Sequence, residues 1–76
     1  MKRNIRALIS PEDGGYVVEI PDVHAYTQGD TLEQALANAR EAITVALDGE
    51  DPAEFGLAPD PSLIVRIELG PLSHAV

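Results

Sequence analysis

Residues 29–49 constrain the chain most, because apolar side chains recur there at steps of three and four. Leu32, Ala35, Leu36, Ala39, Ala42, Ile43, Ala46 and Leu47 wind into one stripe on an α-helix. Thr31 followed by Gln34 is a capping-box pattern, able to satisfy first-turn N–H groups that lack a partner. Asp30 and Glu33 add negative charge where the helix dipole favours it. Gly49 suits the left-handed conformation that ends helices, and Pro52 opposes continuation. The spacing predicts a helix over about 32–48. A stripe this wide needs a surface to lie on, and the other segments supply it.

Those segments alternate as strands do. Ile5, Ala7 and Ile9 share one face of a strand over about 4–10, and the turn-forming run 10–15 leads into a second over about 15–20. There Tyr16, Val18 and Ile20 share the apolar face. A weakly patterned third strand is expected over about 24–28. Residues 50–61, with three prolines and an acidic skew, read as a long loop that Phe55 and Leu57 are expected to pin to the core or to a partner. Leu63, Val65, Ile67 and Leu69 give a fourth strand over about 62–69, and 72–76 carry no pattern. The fold class expected for 1–76 is α+β, one two-layer β-β-β-α-β domain with a single sheet and one helix across one face. The opposite face keeps Leu8, Val17, Ile64 and Arg66, which are expected to form an oligomer interface.

Charge narrows the function. Thirteen acidic residues against five basic ones give a formal charge of −8, which repels phosphate backbones and favours basic protein partners. Direct nucleic-acid binding is not expected; Lys2, Arg3 and Arg6 read as charges that solvate an edge strand. Cysteine is absent, which removes disulfides and thiolate zinc sites, and a domain this small buries only about 60–65% of its unfolded surface. Self-association is the expected remedy. No apolar run reaches the length of a signal core or a membrane span, so a cytoplasmic location is expected.

Catalytic chemistry finds little support. Asp13, Glu19, Asp22 and Asp30 are the carboxylates a metal-dependent nuclease would use, yet the three aspartates occupy turn or cap positions and Glu19 points outward from a strand. His24 and His74 lie far apart in sequence, without metal-ligand spacing, and no serine sits in a nucleophile elbow. Neither a metal nor a cofactor is expected. The residues expected to meet a partner are Glu12, Asp13, Glu19, Asp22 and Tyr26, the acids by steering a basic surface and the tyrosine as an aromatic contact.

The run Asp13-Gly14-Gly15-Tyr16-Val17-Val18-Glu19-Ile20-Pro21-Asp22, then Thr27-Gln28-Gly29-Asp30-Thr31-Leu32-Glu33-Gln34-Ala35-Leu36, resembles the HicB family of antitoxins and HicB-like proteins. The resemblance spans about residues 5–49, on the match of hairpin, turn and capped helix. It implies a partial ribonuclease-H-like fold with the fourth strand beside the first, and dimers or higher oligomers. It also implies a partner, a small basic HicA-like toxin that cuts mRNA with a histidine and that this chain holds inactive. The alternative is a solitary HicB-like homo-oligomer without a toxin. The family's usual Pro-Asp-Leu-Pro-Gly-Cys run is replaced by Pro21-Asp22-Val23-His24-Ala25-Tyr26, and residues 50–76 do not fit the DNA-binding second domain of longer antitoxins, so promoter binding is not expected.

Overall fold

The computed structural model describes residues 1–70; His74 and the unpatterned 72–76 lie outside the described residues. The elements are β1 (Lys2–Glu12), β2 (Gly15–Ile20), β3 (Ala25–Gly29), α1 (Leu32–Leu47) and β4 (Leu57–Ile67), with short 3-10 turns at Pro21–Val23 and Pro52–Phe55. One mixed sheet forms in the order β3-β2-β1-β4, antiparallel except for the parallel pair of β1 with β4. This is the expected α+β, β-β-β-α-β architecture, and β4 lies beside β1.

Two local devices set the geometry. Glu12 pairs with Gly15, so the loop between β1 and β2 is only Asp13-Gly14, with φ of 50° and 82°. Positive φ at both positions is the type I′ hairpin turn, whose twist matches the strands and which Asp-Gly favours. At the start of α1, Gln34 N–H donates to Thr31 Oγ1 at 3.0 Å, while Asp30 N–H donates to Gln34 Oε1 at 2.6 Å. The capping box therefore closes one residue upstream of the N-cap and ties the incoming chain to the helix.

Helix and sheet meet through a small-residue seam. Ala35 and Ala39 are fully buried against Ile5, Ala7, Ile9, Val18 and Ile20. Alanines allow close approach. At Gly29 a Cβ would stand 2.5 Å from the backbone N of Ala35, so only glycine fits where β3 runs under α1. Asn38 Nδ2 donates to the Gln28 carbonyl at 2.7 Å and fixes the same contact.

The segment after α1 differs from the expected loop. Gly49 does take positive φ, 74°, but Pro52–Phe55 then forms a turn capped by Asp51, whose Oδ1 accepts from Ala53 N–H at 3.0 Å. β4 begins at Leu57, which is fully buried, and Phe55 packs against the core beside it. Proline interrupts the alternation at Pro59 and Pro61, and the β1–β4 register shifts between Lys2 and Asn4, so the early half of this strand has no clean period. At its other end Ile67, expected on the covered face, is 37% exposed, because α1 lies over β3 and β2 and leaves the β4 edge thinly covered.

Candidate partner-binding surface

The sheet face away from α1 is open, and pairing register orders its side chains. One row across β3, β2, β1 and β4 reads Tyr26, Glu19, Leu8, Arg66. A second reads Gln28, Val17, Ser10. Arg6 stands opposite Ile64 in a third. The expected interface residues Leu8, Val17, Ile64 and Arg66 thus share one face, although unequally. Leu8 and Val17, on inner strands, are half-buried by their neighbours; Ile64, on the edge, is 48% exposed. Glu19 and Tyr26 face each other directly on the same surface, with Tyr26 64% exposed.

A shallow hollow of about 320 Å³ opens on the β1–β4 half, lined by Arg6, Leu8, Pro21, Asp22, Ile64 and Arg66. Its rim is built by Asp22. Its side chain is 4% exposed and accepts from Lys2 Nζ at 2.8 Å and from Arg6 backbone N–H at 2.8 Å. The hydrogen bond from the Lys2 ammonium, followed by that from Arg6 N–H, lowers the Asp22 pKa, outweighing the partial burial that acts the other way. Asp22 is therefore a clamp between the start of β1 and the turn after β2, its carboxylate already engaged within the chain. The sequence marks Asp22 as a turn aspartate and a candidate partner contact but not as a clamp, because the partners lie 16 and 20 residues away, with no local signal.

Glu12 and Asp13 stand at the opposite end of the sheet, at the hairpin tip. The surface there is shared with Gln28, Gly29 and Asp30, so Asp30, read from sequence as a helix-start residue, joins the acidic tip. The predicted partner residues thus fall into three places: Glu12 and Asp13 at the tip, Glu19 and Tyr26 on the open face, and Asp22 at the far rim. A further acidic group, Glu50, Asp51 and Glu54, follows the C-terminus of α1. There a hydrogen bond with Glu50 and repulsion from its charge raise the pKa of Glu54. His24 is exposed at the end of the first 3-10 turn, at φ 54°. Among the described residues, no three histidine or acidic side chains converge as metal ligands would, and no helix is long and apolar enough to cross a membrane. The open face thus carries half-buried apolar residues and charges of both signs, between an acidic hairpin tip and the Asp22 clamp.

A UPF0150 protein of Synechocystis is 40% identical over 48 residues, covering 58% of this chain and 70% of that protein. The chain belongs to the UPF0150 family of HicB-like proteins. Antitoxin HicB 1 of Photorhabdus laumondii is 50% identical over 38 residues, 49% of this chain and 24% of the antitoxin. An uncharacterized 14.9 kDa protein from the rep-hol intergenic region of Haemophilus phage HP1 is 45% identical over 50 residues, 62% of this chain. The chain spans only 38% of the phage protein and about a quarter of the antitoxin. No family model matches the chain, and no solved structure does. In this UPF0150 protein Gly29 is explained by the close approach of helix and sheet, and the Thr31–Gln34 pair by capping of the first helical turn.

Proposed function

We propose that this chain is a cytoplasmic, non-catalytic antitoxin module that holds a small basic HicA-type RNA-cleaving toxin inactive by covering it. The observation that carries the reading is the 50% identity over 38 residues to Antitoxin HicB 1. The −8 charge and the acidic hairpin tip support it, because a basic enzyme built to grip RNA is drawn to such a surface. In this reading Glu12 and Asp13 steer the toxin, and Glu19 and Tyr26, with Leu8 and Val17 beside them, form the contact. Asp22 holds the rim of that surface through Lys2 and Arg6.

The test is an RNA-cleavage assay with a HicA-type toxin encoded beside this chain, titrated with the purified protein. Cleavage is expected to stop at stoichiometric amounts and to return as salt is raised; cleavage that continues at saturating chain refutes the proposal. A second reading is a solitary HicB-like homo-oligomer without a toxin, in keeping with the 70% coverage of a UPF0150 protein.

A further inference from the structure

Strand β4 closes one edge of the sheet, and its backbone polarity follows from two observations. Ile9 pairs with Ile67, and Glu68 N–H donates to the Ile9 carbonyl at 2.8 Å. In a parallel ladder this turns the N–H and C=O groups of the even-numbered residues toward β1 and those of Leu63, Val65 and Ile67 outward. Pro61 occupies the same outward set and has no N–H to offer, and a register shift distorts the strand before it. The first half of the edge is thus blunted in the usual way, while the half from Leu63 to Ile67 has no proline, lysine or bulge. Apolar surface gathers beside it: Ile64, Ile67 and Leu69 are 48%, 37% and 75% exposed.

Charge selects what pairs there. All five basic residues stand on β1, on β4 or, for Arg40, on the flank of α1 that lines a groove with Pro61 and Leu63. In a chain of charge −8 this is the side on which two copies approach with least repulsion. We propose that β4 pairs antiparallel with β4 of a second copy, across a twofold axis at Ile67. Arg66 then stands directly opposite Glu68 of the partner subunit, twice by symmetry, and Val65 opposite Leu69 of the partner subunit. Other registers are poorer. An axis at Arg66 sets the two guanidinium groups against each other, and an axis at Val65 leaves Arg66 facing Ile64 of the partner subunit. The chosen register makes one continuous sheet with both helices on the same side. It uses Ile64 and Arg66 of the expected interface and leaves Leu8, Val17, Glu19, Tyr26 and the hairpin tip free. It does not depend on the antitoxin reading.

Light-scattering mass of the full chain across a dilution series tests this, alongside Arg66→Glu, Glu68→Arg and the double exchange. The expected mass is twice 8.1 kDa. Each single reversal sets like charges opposite at both symmetric positions and weakens the dimer about tenfold or more, and the double exchange restores it. Hydrogen exchange is expected to protect the Val65 and Ile67 amides at dimer concentrations only. A chain that stays at 8.1 kDa overturns the proposal. So does a dimer unmoved by either single reversal, or one that the double exchange fails to restore.

Discussion

Gly29 decides how near α1 comes to β3. A methyl group there meets backbone, with Ala35 N at 2.5 Å and Ala35 Cα at 2.8 Å, and backbone cannot turn aside as a flexible side chain does. Gly29→Ala is expected to lower stability by about 1–3 kcal/mol, read from urea unfolding, with the helix displaced from the sheet. Asp22 makes a second residue-scale prediction. Its folded pKa is lowered, chiefly by the Lys2 hydrogen bond and then by Arg6 N–H, so its contribution is complete above the unfolded pKa and is lost as pH falls through the folded one. Asp22→Asn is expected to cost about 1–3 kcal/mol at neutral pH and to flatten the acid limb of stability against pH. Glu54 has the opposite sign. Its pKa is raised by Glu50, so deprotonation opposes folding, the penalty stands above the folded pKa, and acidification relieves it. Glu50→Gln is therefore expected to raise the neutral-pH melting temperature slightly.

Among the elements, the helix was the most legible because its period, cap and terminating glycine agree; the structure gives Leu32–Leu47. The hairpin was legible as a turn, and its two-residue loop follows from Asp13-Gly14 accepting positive φ. Gly14→Ala, at φ 82° with no neighbour within 4 Å, is strained through its backbone alone and is expected to cost about 1–2 kcal/mol in thermal unfolding. β4 was half legible. Alternation gives its second half, whereas the buried Leu57 precedes two prolines that hide the first half from any period-two reading. The surface was legible only as a list of outward positions. Grouping them into a tip, an open face and a far rim needs the β3-β2-β1-β4 order, which the local pattern does not encode.

At the scale of the whole molecule, charge and shape are distributed unequally. The five basic residues crowd toward the β1–β4 side, while Glu12, Asp13 and Asp30 share the hairpin end. In the two proposals above, the β1–β4 side meets another copy and the hairpin end a basic protein. Neutralising the tip with Glu12→Gln and Asp13→Asn is expected to slow association with such a partner and to weaken its salt dependence, with little change in stability; stopped-flow rates at two ionic strengths read both. Cleavage of RNA by a HicA-type toxin, followed as this protein is titrated in, tests the central claim most directly. Activity falling to zero near equimolar chain is the predicted result. Cleavage that stays at its starting rate with this protein in excess contradicts it.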